Sequence, residues 1–434
     1  MAIWQPELLN PQGQPIELAP NSMLETCVAH HRHHFNKEPK GAATAPSTWS
    51  MIGEHTDYAG GVVLSTMSNW ATAVAVGPNS EKTINVVLIG AQGNVEKHSI
   101  STAEVNARAQ AQLLTHDNLG RAVTPPLPEG GIAARLGGIA WTMIHKQMLS
   151  RDTKGLNITA LSSIPNGVGL GEFAALDIAL ALALFQEEID EAPVRARIAD
   201  ICSHAAFMFS ESTALRARHT TALRGESGKM SVIDYSDGSV TQAPHPVSRT
   251  AGLQAYLVAA PHDHKLDVAL HTHRRHAFID EASRAFSTES LRRLPDAATR
   301  VVDWLQAVLE VTGRQDLPTV EQAGHWLRFW EAETQRAQQT SSALRSRRLP
   351  QLAALLATSQ RELDEVYGIS TPDSALAQLC MERGAFSARC SSAGVSKGII
   401  ALIDEKRGGN FAADLAADGL TVIPLGHGET AAQA

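Results

Sequence analysis

A glycine-rich turn between an apolar strand and an apolar helix constrains the fold of this chain most strongly. Residues 156–161 form a short apolar segment, and the sequence Pro-Asn-Gly-Val-Gly-Leu-Gly follows at 165–171. Residues 173–185 then repeat Ala and Leu in a helical pattern. Glycines ahead of a helix let backbone N–H groups approach an anion, where the helix dipole favours negative charge. An ordinary strand-to-helix turn accounts for this segment equally well.

Other segments alternate between strand and helix patterns. Apolar and β-branched runs predict strands, whereas apolar residues at three- and four-residue steps predict helices. The predicted strands are 62–64, 71–76, 84–89, 255–260 and 399–403, and the predicted helices are 23–35, 296–312, 319–344 and 349–367. Residues 103–131 are weakly periodic and end in Thr-Pro-Pro-Leu-Pro-Glu-Gly-Gly, which predicts a surface connection.

Length and composition favour two fused α/β domains. The chain has 434 residues, 44% of them hydrophobic and 19% charged, as in globular proteins. Its net charge of -8, without a dense basic run, argues against nucleic acid or an anionic membrane as a partner. The first residues lack the pattern of a signal peptide, and no apolar run reaches membrane-spanning length, so we expect a cytoplasmic protein. The four cysteines fit neither a disulfide framework nor a zinc site and are expected to be reduced.

Four histidines stand close together near the N-terminus, at His30, His31, His33 and His34. Imidazoles are common ligands of transition metals. No cysteine or carboxylate lies at ligand spacing from them, so we interpret the cluster as a polar helix face and predict no metal site.

A second polar cluster, Glu54, His55 and Asp57, lies within four residues and just ahead of Gly60 and Gly61. This spacing predicts a tight loop after a strand, where binding groups often collect. Two carboxylates and an imidazole can bind several hydroxyl groups at once, and such a site discriminates against ligands that lack one hydroxyl. A sugar suits this set of side chains. Ordinary loop residues that satisfy nearby backbone donors are the alternative.

Residues 52–58 read Ile-Gly-Glu-His-Thr-Asp-Tyr, and this segment resembles the sugar-binding motif of galactokinases, Gly-Arg-Val-Asn-Leu-Ile-Gly-Glu-His-Thr-Asp-Tyr. Similar motifs follow in the family's order across most of the chain. The resemblance to galactokinases, members of the GHMP small-molecule kinase superfamily, implies an α/β (α+β) fold with two domains. These would be 1–225, of ribosomal-protein-S5-like type with both motifs, and 226–434, with a ferredoxin-like arrangement. It also implies ATP-dependent phosphorylation of galactose at C1, with Mg as the metal.

The sequence departs from the family at its phosphate-binding positions. Gly167, Val168, Gly169, Leu170 and Gly171 match the nucleotide-binding turn, but the family's three serines are replaced, one of them by Glu172. A carboxylate there can occupy the anion site itself and repel a phosphate. Thr48 stands where the resemblance places an arginine that assists phosphate transfer.

The base and the closing motif of the family have changed as well. Arg218 aligns with the aspartate that serves as the base or orients the sugar, and a guanidinium cannot act as a base. His271 replaces a sugar-facing tyrosine ahead of Arg274 and Arg275. The segment Ser-Ser-Ala-Gly-Val-Ser-Lys-Gly at 391–398 replaces four glycines of the family's third motif, whose backbone must pack closely.

These departures lead to a pseudokinase as the first hypothesis: little or no phosphoryl transfer, with a sugar or an unidentified protein as the ligand. An active galactokinase with a rearranged site is the alternative, and a purely structural role is the third. A local hypothesis follows from the exchanged charges. Glu172 and Arg218 would form an ion pair, and the small side chain of Thr48 would leave room for it.

Overall fold

The computed structural model describes residues 3–113, 115–116, 122–123, 125–185, 187–211, 215–247, 251–260, 268–369, 371–392 and 398–434. By their contacts, these residues group into two compact units. The N-terminal unit comprises the described residues of 5–48, 67–227 and 427–434, and the C-terminal unit those of 1–4, 49–66 and 228–426. The domain bounds predicted from the sequence, 1–225 and 226–434, stay a prediction.

A mixed sheet and the helices packed on it form the N-terminal unit. Its elements, including two strands that also contribute residues to the other unit, are α1 (Pro20–Phe35), β1 (Gly41–Ile52), β2 (Val62–Asn79), β3 (Thr83–Ile89), β4 (Val95–Ser101), α2 (Thr102–Ala111), β5 (Thr115–His116), β6 (Ala122–Val123), α3 (Ile132–His145), β7 (Gly155–Ser162), α4 (Glu172–Leu184), α5 (Ala192–Phe209), α6 (Arg216–Arg224) and β14 (Ala432–Gln433). The strand order is β14-β1-β2-β7-β3-β4. Strand β7 runs antiparallel to β2 and parallel to β3, and it leads directly into the glycine-rich turn.

The C-terminal unit contains an antiparallel sheet and a group of long helices. Its elements are η1 (Asp57–Ala59), β8 (Lys229–Asp234), β9 (Ser239–Pro244), β10 (Leu253–Ala259), α7 (Val268–Ala285), η2 (Leu291–Arg293), α8 (Ala297–Thr312), α9 (Val320–Arg345), α10 (Leu349–Glu365), α11 (Thr371–Glu382), β11 (Ser387–Cys390), β12 (Gly398–Asp404), α12 (Gly408–Ala417) and β13 (Thr421–Leu425). The sheet order is β11-β12-β10-β13, and every neighbouring pair is antiparallel. Strand, helices, two strands, helix and strand therefore follow the ferredoxin-like pattern that was predicted.

Strand β2 is longer than the sequence predicted. Two separate strands were expected over 62–64 and 71–76, because polar residues lie between them, but the structure has one continuous strand. Two of the polar side chains are buried and have partners: Ser65 Oγ donates to the Trp49 carbonyl at 3.1 Å, and Thr66 Oγ1 donates to the Lys229 carbonyl at 2.8 Å. Buried hydroxyl groups that are hydrogen-bonded do not interrupt a strand.

The prediction of a plain surface connection over 103–131 was wrong in its first part, where helix α2 lies. The Ser101 side chain accepts a hydrogen bond from the Glu104 amide at 3.0 Å and so caps this helix. Val105 and Ala109 are its buried residues, which is too few for a clear helical pattern in the sequence. Within the described ranges, no helix has both the length and the apolar character needed to cross a bilayer.

Candidate functional site

The predicted polar loop follows directly after β1 and turns tightly. Gly53 has φ of +93°, and a side chain there would come within 2.1 Å of the Val62 carbonyl oxygen, so only glycine fits. Thr56 Oγ1 donates to the Gly53 carbonyl at 2.7 Å and closes the turn. His55 also lies in the left-handed region, with φ of +66°. The loop is therefore a strained and specific structure, as binding loops often are.

The three side chains predicted to bind a sugar are all buried within this loop. Glu54 is 1% exposed, His55 0% and Asp57 2%. The His55 ring packs against Tyr367, with ring centroids 5.5 Å apart. Buried polar groups need partners, so these side chains are arranged to be satisfied by the protein or by a ligand with hydroxyl groups.

A set of aromatic side chains supports the loop from α9 and the end of α10. The Tyr58 and Tyr367 hydroxyls are hydrogen-bonded to each other, and Trp330 Nε1 donates to the Tyr367 hydroxyl at 3.3 Å. Burial raises the pKa of both tyrosines above the ordinary range. The two phenols therefore stay neutral at physiological pH and act as hydrogen-bond donors and acceptors.

Arg275, one of the two arginines that match the galactokinase motif, lies on α7 beside these rings. Its Nη2 donates to the Tyr367 carbonyl at 2.6 Å. The guanidinium lies over the Tyr367 ring at 4.1 Å and the Trp326 ring at 5.0 Å, which are distances for cation–π attraction. Arg275 thus holds the aromatic set in place. The side chain of His271 lies outside the described residues.

Glu54 also takes part in a buried ion network that the sequence did not suggest. Arg389 Nη1 lies 2.6 Å from Glu54 Oε2, and Arg389 Nη2 lies 3.1 Å from Glu333 Oε1. Glu333 is 0% exposed and also accepts a hydrogen bond from the Gly53 amide at 3.2 Å. Its partners lie far away in the sequence, so no local pattern reveals the network.

The glycine-rich turn keeps its predicted shape in the N-terminal unit. Gly167, Gly169 and Gly171 have φ of +73°, +86° and +70°, in the left-handed region that favours glycine. Leu170 presents its carbonyl to the Thr48 amide at 3.0 Å, so the turn is joined to strand β1. Helix α4 then begins at Glu172.

Two substituted side chains bind the backbone of this turn. Glu172 Oε1 accepts a hydrogen bond from the Gly167 amide at 2.9 Å. Arg218 Nη2 donates to the Gly169 carbonyl at 2.8 Å, and its Nη1 donates to the Thr48 carbonyl. The predicted ion pair between Glu172 and Arg218 is therefore wrong, because each side chain binds a backbone group instead of the other. A backbone partner satisfies each group without requiring the two charges to meet.

Thr48 lies directly beside Arg218 and the turn. Its side chain is 1% exposed, and its Oγ1 has no hydrogen-bond partner among the described residues. A Cβ added to Gly171 would come 2.7 Å from Thr48 Oγ1 and 3.2 Å from Arg218 Cδ. Thr48 and Arg218 therefore both lie against Gly171, and the arginine binds the Thr48 and Gly169 carbonyl oxygens. That the small threonine leaves room for the arginine stays a prediction.

A second buried ion network lies behind the glycine-rich turn. On α4, Asp177 accepts from Arg135 at 2.7 and 2.5 Å and lies 3.0 Å from His219 Nε2. Burial alone would raise the pKa of Asp177, but Arg135 and His219 more than offset this and lower it. The network joins α3, α4 and α6, and so fixes the helix that carries Arg218. An acidic residue in the middle of an apolar helix was the available signal in the sequence.

The remaining predicted features lie elsewhere. In the third motif, Ser391 and Ser392 are buried, and residues 393–397 lie outside the described residues.

In the histidine cluster near the N-terminus, His30 Nε2 is 2.9 Å from the Leu9 carbonyl, and His31 Nδ1 is 3.1 Å from Thr159 Oγ1. Burial lowers the pKa of His31 to about 4. No group of three or more potential metal ligands is present within the described ranges.

Comparisons with known proteins match both the segment that contains the polar loop and the fold. Residues 29–78 match the galactokinase galactose-binding signature. Human galactokinase is 24% identical over 79% of this chain and 78% of its own length, and the Streptomyces coelicolor enzyme is 24% identical over 86% and 87%. The chain is galactokinase-like. In structure, this galactokinase-like protein is similar to galactokinase from Lactococcus lactis, which was solved with galactose, with a TM-score of 0.68 and 16% sequence identity. The match covers 94% of this chain and 99% of the Lactococcus lactis chain.

The fold is shared more widely among GHMP kinases. Mevalonate kinase from Methanococcus jannaschii has a TM-score of 0.54 and 13% identity over 88% of this chain and 97% of its own. The two-domain GHMP kinase fold predicted from the sequence is therefore confirmed. Because one fold serves many reactions, the function of this protein must be argued from its own side chains.

Proposed function

We propose that this galactokinase-like protein binds a sugar through Glu54, His55 and Asp57 but has lost, or keeps only weakly, the transfer of phosphate from ATP. The observation that carries the proposal is the hydrogen bond from the Gly167 amide to Glu172 Oε1 at 2.9 Å. A backbone N–H in a glycine turn ahead of a helix is the kind of donor that binds phosphate. Here the protein's own carboxylate accepts it.

The side chains around the turn do not fit a nucleotide phosphate with magnesium. Glu172 would repel a phosphate about 4 Å away by roughly 1 to 4 kcal/mol, depending on how far water screens the charges. Arg218 stands where the family has an aspartate and cannot accept a proton. Phosphoryl transfer depends mainly on positioning and charge stabilisation, and the residues that supply both have been replaced.

The sugar loop supports the other half of the proposal. Its match to the galactose-binding signature covers the three polar side chains, and each of them is at most 2% exposed. A ligand with several hydroxyl groups can satisfy two carboxylates and an imidazole together. Galactose, the ligand of the Lactococcus lactis relative, is the first sugar to test. A protein partner is the alternative ligand.

Titration calorimetry and a kinase assay test the two halves separately. We expect purified protein to bind galactose without ATP and to release little or no ADP when Mg-ATP and galactose are both present. Turnover within about tenfold of ordinary galactokinase rates would contradict the loss of activity and favour a rearranged active site. If neither galactose nor Mg-ATP shifts the melting temperature, the protein has no such ligand and a structural role is favoured.

Two variants at Glu172 test the cause of the loss. Glu172→Ser removes both the charge and the acceptor that binds Gly167, whereas Glu172→Gln removes the charge but keeps an amide oxygen as the acceptor. We expect Mg-ATP affinity to rise most in the serine variant. If both variants bind Mg-ATP no better than the wild type, the hydrogen bond to Glu172 is not what excludes the nucleotide.

A further inference from the structure

The ion network behind Glu54 is buried and extends across four segments of the C-terminal unit. Arg389 lies on β11 and is 3% exposed, and Glu333 lies on α9 and is 0% exposed. Arg336 Nε donates to Glu333 Oε2 at 2.9 Å, and Arg336 Nη1 lies 2.6 Å from Glu362 Oε2 on α10. The polar loop is thus connected to both long helices and to the sheet.

Arg389 has a partner for each of its three nitrogen atoms. Its Nη1 faces Glu54 Oε2 at 2.6 Å, its Nη2 faces Glu333 Oε1 at 3.1 Å, and its Nε donates to Ser359 Oγ at 2.9 Å. Ser359 in turn donates to Glu333 Oε1 at 2.6 Å. A planar guanidinium held at three points has one orientation, so it gives Glu54 Oε2 a partner at a fixed position.

The first two residues of the loop, Gly53 and Glu54, both bind to this network. Glu333 accepts from the Gly53 amide, and Arg389 binds the side chain of the next residue, Glu54. Burial alone would raise the pKa of Glu333, but Arg389 and Arg336 more than offset this and lower it. Glu54 and Glu333 in turn raise the pKa of Arg389 above its usual value, although burial acts in the opposite direction.

A buried ion network is not required for stability, because apolar residues of similar volume often serve a fold equally well. Its specific consequence is a fixed, ionised carboxylate. Such a group accepts hydrogen bonds about twice as strong as those to a neutral acceptor. We therefore propose that Arg389 is a positioning residue, which keeps the Glu54 carboxylate ionised and aimed for hydrogen bonds from a sugar. The part concerning sugar rests on the function proposed above.

Carbon-13 NMR of protein with labelled glutamate δ-carboxyl groups tests the positioning directly and without any sugar. The Glu54→Gln variant assigns the signal. Within the described ranges, the charged groups of the network near Glu54 include Arg389 and, behind it, Glu333, Arg336 and Glu362. We expect the Glu54 signal to titrate at higher pH in Arg389→Met than in the wild type, because the variant leaves a buried carboxylate without its cation. An unchanged titration would overturn the proposal.

Galactose titration gives the second measurement. We expect Arg389→Met to bind galactose at least about tenfold more weakly, and Arg389→Lys to lie between it and the wild type, because an ammonium keeps the charge but not the three-point geometry. Combined with Glu54→Gln, Arg389→Met should cause little further loss. Arg383→Met, which removes an arginine that pairs with Asp418 at 40% exposure, is the matched control and should leave affinity unchanged.

The two measurements separate the two proposals. If the wild type does not bind galactose, the proposed sugar function fails, while the titration of Glu54 still decides whether Arg389 positions it. If Arg389→Met does not fold, Arg389→Lys takes its place in both experiments. Unchanged affinity in a folded Arg389 variant, with galactose bound by the wild type, would reject the role toward the sugar.

Discussion

The polar loop at 53–58 and the glycine-rich turn at 165–171 resemble the galactokinase motifs in different ways. In the loop, the side chains match those of the motif, and Glu54 is held by Arg389 from a buried network. In the turn, three glycines lie at positive φ, but the side chains around it differ from those of the motif. Glu172 and Arg218 bind the turn's own backbone.

The difference lies in what holds each segment in place. The turn has three glycines at positive φ, and helix α4, which follows it, is joined to α3 and α6 through Asp177, Arg135 and His219. In the loop, Glu54 is itself part of a buried network, so replacing it would leave Arg389 without one of its partners.

The largest effect is expected from breaking the network behind the loop. Glu333→Ala leaves Arg389 and Arg336 buried without their shared carboxylate, and an uncompensated buried charge costs about 3 to 5 kcal/mol. Denaturant unfolding would measure this loss. Glu331→Ala on the same helix, at an exposed position, is the control and should change stability by no more than about 0.5 kcal/mol. A similar small loss in both variants would mean that the network does not hold the loop.

The glycine-rich turn should respond according to what surrounds each glycine. Gly167→Ala and Gly171→Ala both place a side chain at positive φ, which costs about 1 to 2 kcal/mol. Only Gly171 has close neighbours, Thr48 Oγ1 at 2.7 Å and Arg218 at 3.2 Å from an added Cβ, whereas Gly167 has none within 4 Å. We expect the Gly171 variant to be less stable by about 1 kcal/mol more. Equal losses would contradict the close packing of Thr48 and Arg218 against the turn.

The sequence predicted the glycine-rich turn better than it predicted the residues that hold the polar loop in place. Alternating glycines between an apolar strand and an apolar helix are a local signal, and residues 52–58 form a continuous motif. The partners of Glu54 carry no such signal, because Arg389 lies 335 positions away and Glu333 lies 56 positions from Arg389. Long-range ion pairs are fixed by the tertiary fold, so a single sequence does not reveal them. The same limit explains the wrong ion pair, since the nearby backbone acceptors of Arg218 were not visible in the sequence.

Acid should weaken both buried networks, the one behind the loop and the one behind the turn. The pKa of Glu333 is lowered from 4.5 and that of Asp177 from 3.8. A lowered carboxyl pKa stabilises the fold above the unfolded value, and this contribution disappears as the pH falls toward the folded value. The free energy of unfolding should therefore depend less on pH than in the wild type, below about pH 4.5 for Glu333→Gln and below about pH 3.8 for Asp177→Asn. Glu331→Gln should follow the wild type, and identical slopes in all four proteins would contradict the shifts.

The smallest effect on stability, and the most informative for function, is expected at Glu172. Its hydrogen bond to Gly167 is exposed to solvent, so Glu172→Ser should change the free energy of unfolding by only about 0.5 kcal/mol, the size of a carboxylate's interaction with a helix N-terminus. The same change frees the Gly167 amide, and the melting temperature should then rise with added Mg-ATP, since a ligand that binds only the native state stabilises it. Glu54→Gln should leave that response unchanged, because Glu54 lies in the polar loop and not in the glycine-rich turn. A loss of the nucleotide response in Glu54→Gln would show that the two regions do not act independently.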